Sequence, residues 1–172
     1  MNAELKAYFS IEAKIAAAFN FFINGMISAL IHHAADAVPV DVISLAIELT
    51  STCVLTFIIT AYFVRAGLKS TKTVAILPPA NKFVRLLTQM YNVSGGDVTP
   101  AKKGIVYPLR FGVPMGLFAA VVFFIIIAPL FTLLEKSVLP FFTFVLGKSF
   151  FCMLFGAGVT VLEMYVGMCK AA

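Results

Sequence analysis

The stretch from Leu139 to Met168, LPFFTFVLGKSFFCMLFGAGVTVLEMYVGM, decides the fold class. As a helix rising ~1.5 Å per residue it would be roughly 45 Å long, which exceeds the ~30 Å of a bilayer's hydrocarbon core. Two charged residues, Lys148 and Glu163, interrupt this otherwise apolar stretch. A charge near the bilayer centre costs at least ~2.5 kcal/mol, so such residues usually face a partner or a water-filled cavity. The stretch therefore predicts a transmembrane helix with polar partners elsewhere in the chain.

The composition of the 172-residue chain also indicates a membrane protein. Hydrophobic residues make up 61% of it and charged residues only 12%, whereas soluble domains are roughly 45–50% apolar and about 25% charged. Three further apolar stretches, at residues 16–31, 42–64 and 111–134, are long enough or nearly long enough to cross a bilayer. The sequence therefore predicts an all-α integral membrane protein with four transmembrane helices in a lipid bilayer.

The positions of lysine and arginine predict how these helices are oriented. Most lie in the leading segment, the long connection between the second and third spans, and the tail: Lys6, Lys14, Arg65, Lys69, Lys72, Lys82, Arg85, Lys102, Lys103, Arg110 and Lys170. The two short connections contain only Lys136. Because cytoplasmic loops carry the excess of Lys and Arg, both termini and the long connection are expected in the cytoplasm of a multi-pass protein. The net charge of +5 then indicates anionic lipid and not nucleic acid as the partner.

The predicted organisation is a single membrane domain, residues 1–172, built from two helical hairpins. The first hairpin covers residues 1–65 and the second covers residues 106–172, with a cytoplasmic linker at residues 66–105.

Amphipathic segments flank the predicted spans. Residues 1–15 alternate apolar and charged side chains, and they are expected either to lie along the membrane or to extend the first span. In the linker, apolar residues recur at helical spacing beside Lys82 and Arg85; they are Phe83, Leu86, Leu87 and Met90. This pattern predicts a short interfacial helix in the central cytoplasmic segment.

The two hairpins show a faint internal correspondence. Placing Cys53 over Cys152 sets Glu48 one position from Lys148. If the chain is duplicated, the two units form a parallel repeat related by an axis along the membrane normal, because each unit spans the membrane twice. Unrelated hairpins are the other interpretation.

A polar cluster is predicted in the outer half of the membrane. Glu48 of the second span and Lys148 of the fourth lie at similar depth, because both spans run inward and both charges lie above mid-span. A buried pair costs less than two unpaired charges, so contact between them is expected. A stripe of polar residues in the first span reaches the same level: Asn20, Asn24, Ser28 and His32. Interhelical hydrogen bonding and a substrate or ion path are both open interpretations of this stripe.

Glu163 lies about 22 Å below Lys148, on nearly the same face of the helix. It is close enough to the inner interface for Lys14, Arg110 or Lys170 to be its partner. Glu163 either belongs to a polar route that starts at Glu48 and Lys148, or it snorkels to the interface at the helix end.

Small residues recur every four positions in the third span, at Gly112, Gly116 and Ala120. Such a pattern permits two helix backbones to approach closely in lipid. The face is therefore expected to pack against another helix, in this chain or in a partner.

Few residues in the sequence indicate a metal site or a covalent modification. His32, His33 and Asp36 cluster beyond the first span, but they have no spaced fourth ligand. A solvated helix end is the expected reading of this cluster, with a metal site or a pH-sensitive gate as alternatives. The cysteines are expected to be apolar packing residues, with palmitoylation of Cys169 as an alternative.

Two functions from different classes fit these features. One is an oligomeric transporter or channel for a small solute or ion, with the polar residues lining a route through or between subunits. The other is a non-catalytic structural or assembly subunit of a larger membrane complex, in which the polar residues only fix helix packing. An enzyme is less favoured, because the chain has no HExxH motif and no paired acids on one helix. No cofactor site is predicted.

The topology can be tested by cysteine labelling on a background that lacks the three native cysteines. An impermeant maleimide added to intact cells should label single cysteines at His33 and Lys136 but not at Gly95 or at either terminus, because the basic residues lie on the latter side. Labelling of Gly95→Cys from outside would contradict the whole orientation.

Overall fold

A computed structural model of the chain describes residues 3–33, 35–70, 82–93, 106–133 and 138–169. Most of these residues are helical. The helices are α1 (Ala3–Ile31), α2 (Val42–Ser70), α3 (Lys82–Val93), α4 (Val106–Leu133) and α5 (Phe141–Met168), and the strands are β1 (Ala37–Pro39) and β2 (Val138–Pro140).

Four of these helices are long and apolar enough to cross a membrane. The candidate spans are Lys6–Ile31, Val42–Val64, Pro108–Leu133 and Phe141–Met168. The number of predicted spans agrees with this finding. The first helix is continuous from Ala3, so the amphipathic leading segment extends the first span instead of forming a separate helix.

The start of α2 is set by Asp41. Its carboxylate accepts hydrogen bonds from the backbone N–H groups of Ile43, at 3.0 Å, and Ser44, at 3.1 Å. The Ser44 hydroxyl donates a third bond, at 2.8 Å. Asp41 therefore caps the helix, since it satisfies N–H groups that have no partner within the first turn. These bonds, chiefly that from the Ser44 hydroxyl, hold the pKa of the Asp41 carboxyl below its ordinary value.

The two short connections pair with each other, which the all-α prediction did not include. Strands β1 and β2 are antiparallel, with Val38 opposite Leu139. The Phe141 N–H also donates to the Asp36 carbonyl, at 3.1 Å. Strands of three residues carry too little alternating pattern to be recognised in a sequence this apolar. The ribbon joins the two halves of the chain at one end of the helices.

The main helix contacts lie between the two halves. Helix α1 packs chiefly against α5, α2 packs chiefly against α4, and α2 also packs against α5. The consecutive helices α1 and α2 meet through side chains such as Phe19 and Phe63, whose ring centroids are 6.2 Å apart. The two predicted hairpins are therefore interlocked, and each helix finds most of its packing in the other half.

This contact pattern is symmetric under exchange of the halves. Exchanging α1 with α4, and α2 with α5, converts the α1–α5 contact into the α4–α2 contact and leaves the α2–α5 contact in place. The register of β1 and β2 around Val38 and Leu139 is symmetric in the same way. A two-fold axis between the halves would produce this pattern of contacts, and a parallel repeat requires such an axis. Duplication of the sequence itself stays a prediction.

Helix α3 has two different faces. Val84, Leu87 and Thr88 are buried, and the helix packs against the end of α5. Phe83 and Leu86 are more than half exposed. This division agrees with the predicted amphipathic pattern.

Close backbone contact between α4 and α2 depends on two glycines. A Cβ atom built on Gly112 would lie 2.8 Å from both the backbone nitrogen and Cγ1 of Ile58. One built on Gly116 would lie still closer to the backbone of Val54. Ala120, which continues the pattern, is buried. The small-residue face is thus used inside the chain, where it brings two helices together by van der Waals packing.

Enlarging Gly116 should separate α4 from α2. Gly116→Leu is expected to lower the free energy of unfolding by at least about 1–3 kcal/mol, because the new side chain meets backbone that cannot move aside easily. Thermal unfolding in detergent micelles, followed by circular dichroism, measures the effect.

Gly147→Leu is the matched control for this substitution. Gly147 also lies within a helix, but a Cβ atom there would have nothing within 4 Å. Equal melting temperatures for the two variants would show that the close approach at Gly116 does not contribute to stability.

Candidate functional site

Glu48 lies at the centre of a cluster formed by two helices and the residue that follows a third. Its Oε2 atom accepts a hydrogen bond from the Lys148 ammonium group on α5. Its Oε1 atom lies 3.4 Å from Nε2 of His32, which follows α1. Glu48 and Lys148, which were predicted to lie at similar depth, are thus in contact, and His32 also contacts Glu48. We call these three residues the outer cluster, after the side of the membrane on which the positions of lysine and arginine predict them.

The geometry of α2 and α5 explains why the two charges meet. The helices run in the same direction, because Phe57 contacts Phe155 further along both of them. Six residues separate Glu48 from the start of α2, and seven separate Lys148 from the start of α5. Both charges therefore lie about 10 Å along their helices. Parallel helices that begin at one level place these side chains at one level.

Phe144 supports the outer cluster from the apolar side. Its ring lies 5.2 Å from the His32 ring in an edge-on arrangement, and its centroid is 5.9 Å from Nζ of Lys148. The latter distance suits a cation–π interaction. Phe144 is itself buried in an apolar cluster with Val38 and Val40. Phe144 was not predicted to belong to the site, although its position four residues before Lys148 places both on one helix face.

The outer cluster is only partly enclosed by protein. The exposed fractions of the side chains are 13% for Lys148, 19% for His32 and 23% for Glu48. Each charge therefore has a partner and also an open side. Such an arrangement can hold its own charges in place and still exchange a proton or an ion with its surroundings.

Two residues of the polar stripe of α1, Asn20 and Asn24, bond within their own helix, whereas His32 contacts Glu48 on α2. The side-chain amide of Asn20 donates to the Ala16 carbonyl, at 2.9 Å, and that of Asn24 donates to the Asn20 carbonyl, at 3.0 Å. Among the described residues, the hydroxyl of fully buried Ser28 has no hydrogen-bond partner. Among the described residues, Asn20 and Asn24 therefore do not form the interhelical hydrogen bonds that were one interpretation of this stripe.

The α1–α5 interface combines small and polar residues. Asn20 packs directly over Gly156, and a Cβ atom on Gly25 would lie 2.6 Å from the Ser149 hydroxyl oxygen. Ser149 and Thr160 are buried. Their hydroxyls donate to carbonyls one turn earlier in α5, at 2.7 Å and 2.8 Å, as hydroxyls in transmembrane helices often do. Ser149 and Thr160 were not predicted to belong to the site, although their spacing from Glu163 places all three on one face of α5.

Glu163 lies at the other end of this interface and is buried. Its exposed fraction is 1%, and neither carboxylate oxygen has a hydrogen-bond partner among the described residues. The expected pairing with Lys14 or Arg110 is not present there, since both of those side chains point outward. Lys170, the other expected partner, lies outside the described residues. The helix face on which Glu163 lies is turned toward the protein interior, so a snorkelling position is also wrong.

The residues after α1 do not converge on one point. His33 places Nδ1 2.8 Å from the Leu30 carbonyl, while His32 faces Glu48 and Asp36 is exposed. In the part of the chain that is described, no three histidine, cysteine, aspartate or glutamate side chains lie close enough to hold a metal ion. Cys169 is buried, and that burial raises the pKa of its thiol.

Comparison of this chain with protein-family models, with curated proteins and with solved structures finds no match. A functional conclusion therefore depends on the chemistry of the residues described above.

Removing one charge from the outer cluster should cost more than removing both. Glu48→Gln alone, or Lys148→Met alone, leaves a partly buried charge without its partner, and the free energy of unfolding should fall by up to about 3–5 kcal/mol. The double variant should recover much of that loss, because neither unpaired charge remains. Thermal unfolding in detergent measures all three variants.

Leu146→Met is the control, because Leu146 lies near Lys148 in α5 but is about half exposed. Its melting temperature should match that of the parent protein. If the two single variants were also as stable as the parent, the Glu48–Lys148 contact would contribute nothing to the fold.

Proposed function

We propose that this multi-pass membrane protein is a transporter or channel for a small ion or solute and that it works as an oligomer. The observation that carries the proposal is the meeting of Glu48, Lys148 and His32 from three different segments. Ionisable residues within membrane spans are expensive to bury, and they commonly mark substrate or ion pathways.

A polar face of α5 supports this proposal. Its buried members after Lys148 are Ser149, Gly156, Thr160 and Glu163, and their spacing keeps them on one side of the helix. Fifteen helical residues separate Lys148 from Glu163, which corresponds to about 22 Å at the usual rise. Polar groups thus recur over most of a ~30 Å hydrocarbon core. A route along this face would run between α1, α2 and α5.

The membrane arrangement in this proposal has two hairpins with both termini in the cytoplasm. The contact of β1 with β2 supports the two-hairpin part of this arrangement, since it places both short connections at the same end of the helices. Helix α3 lies on the inner surface, with Phe83 and Leu86 entering the lipid and Lys82 and Arg85 facing anionic headgroups. Four helices enclose little volume, so the open side of the outer cluster is more easily closed between copies of the chain.

One observation argues against the alternative function, a structural subunit of a larger complex. In that function the Gly112–Gly116–Ala120 face would hold a partner, but it packs against α2 of the same chain. The remaining support is the large number of exposed apolar side chains, which lipid or another subunit would cover equally well. Purification distinguishes the two functions, because a subunit should always co-purify with an unlike protein.

Flux measurements test the proposed function. The purified protein is placed in vesicles of phosphatidylethanolamine and phosphatidylglycerol, and proton, sodium, potassium and chloride flux are followed with dyes and ion electrodes. The parent protein should carry at least one of these ions above the level of protein-free vesicles. The Glu48→Gln/Lys148→Met double variant should elute normally from a sizing column but lose the flux, since the charges on the route are gone.

Leu154→Ala is the control variant, because Leu154 lies on the exposed side of α5 and should leave the flux unchanged. A double variant that keeps full flux would assign the charge pair a purely structural role. Absence of any flux from the parent, together with an unlike protein that always co-purifies, would favour the subunit function.

A further inference from the structure

Glu48 and Glu163, the two glutamates of the proposed route, have opposite environments. Glu48 contacts Lys148 and His32, and it keeps a partly open side. Glu163 is fully enclosed, and both of its oxygens lack a hydrogen-bond partner among the described residues. An ionised carboxylate in such a place loses its hydration without gaining a compensating charge. It is therefore neutral in this conformation, or it binds a cation.

The surroundings of Glu163 are apolar on both sides along α5. Met164 belongs to a cluster with Phe9, Val64 and Met168. Val159 and Val166 belong to a second cluster that includes Phe57 and Phe111. These two clusters close the inner end of the interface and exclude water from the carboxyl group.

Among the residues whose side chains are described, no charge replaces the missing water. The titratable side chains described towards this end of the packed helices are Lys6, Tyr8, Glu12 and Lys14 on α1, Tyr62 on α2, Lys82 and Arg85 on α3, Arg110 on α4, and Tyr165 and Cys169 on α5 itself. Within the described part of the chain, none of them donates a hydrogen bond to a Glu163 oxygen. None of these side chains therefore supplies the neutralising species.

A proton fits this site better than a metal cation does. Sodium, magnesium and calcium ions need several oxygen ligands arranged around them. In the described structure, Glu163 belongs to no group of three histidine, cysteine, aspartate or glutamate side chains that could hold a metal ion. A proton needs only the carboxylate oxygen itself.

We propose that Glu163 is a proton-binding site at the inner end of the polar face, loaded in the conformation described and released when the inner apolar clusters open to the cytoplasm. This proposal rests on the proposed transport function and narrows it to transport that moves or is driven by protons. The outer cluster and Glu163 are then the two ends of one route. Burial makes proton exchange depend on a conformational change.

A hydrophobic carbodiimide tests whether the carboxyl group carries a proton. N,N′-dicyclohexylcarbodiimide reacts with a protonated carboxyl: the acid oxygen forms a bond to the central carbon, and the acid proton moves to a carbodiimide nitrogen. The O-acylisourea then rearranges to a stable N-acylurea. The full-length protein in phosphatidylethanolamine and phosphatidylglycerol vesicles is treated over a range of pH, and the adduct is located by peptide mass spectrometry.

Glu163 should be the main site of labelling, and its labelling rate should fall about tenfold per pH unit above its titration midpoint. Glu163→Gln should remove the adduct. Glu48, which is paired with Lys148, should label far more slowly and serves as the internal comparison. Replacing choline chloride by sodium or potassium chloride at constant pH should change nothing.

Two results would overturn the proposal. Protection of Glu163 by sodium or potassium would identify the site as one for a metal cation. A Glu163 that stays unlabelled, in a protein whose infrared spectrum also lacks a protonated-carboxyl band that disappears in Glu163→Gln, would show that it holds no proton.

The same preparation separates this inference from the transport function. Proton-dependent labelling without any ion flux would keep the proton site and reject transport. Flux that persists unchanged in Glu163→Gln, with no labelling of the parent protein, would keep transport and reject the proton site.

Discussion

A carboxylate in the low-dielectric interior of a membrane protein keeps its charge most easily beside a cation, and Glu48 finds that cation a hundred residues further along the chain. This contact requires α2 and α5 to lie side by side at matched depth. With that fixed, α1 packs against α5 and α4 packs against α2. The β1–β2 ribbon and Phe144 hold the same end from the apolar side. The outer cluster is thus both a chemical site and the point at which the two halves are aligned.

The same residue type serves two purposes because its surroundings differ. Glu48 is held by partners and stays open on one side, whereas Glu163 is closed in by apolar clusters that provide no partner. Stability alone does not explain a buried carboxyl group without a bond, since an apolar side chain of similar size would avoid the cost of removing it from water. Groups that weaken a fold in this way are typical of sites where function needs them.

Much of the architecture could be predicted from the sequence, because length and hydropathy suffice to locate membrane spans. The proximity of Glu48 and Lys148 followed from counting residues along two spans that run the same way. The close approach at Gly112 and Gly116 followed from their spacing, although not the identity of the helix they meet. The rotation of α5 did not follow, so Glu163 was assigned outward partners. The β1–β2 pairing was also missed, because three-residue strands leave no period to detect.

The interlocked order of the helices has a consequence for synthesis. Helix α1 is made first, but its chief neighbour α5 is the last of the helices described here. In a chain inserted segment by segment, α1 must therefore remain among lipids, with Asn20 and Asn24 capped by their own helix, until α5 arrives. The hydrogen bonds within α1 lower the cost of that exposure to lipid, because the side-chain amides of Asn20 and Asn24 already have acceptors in their own helix.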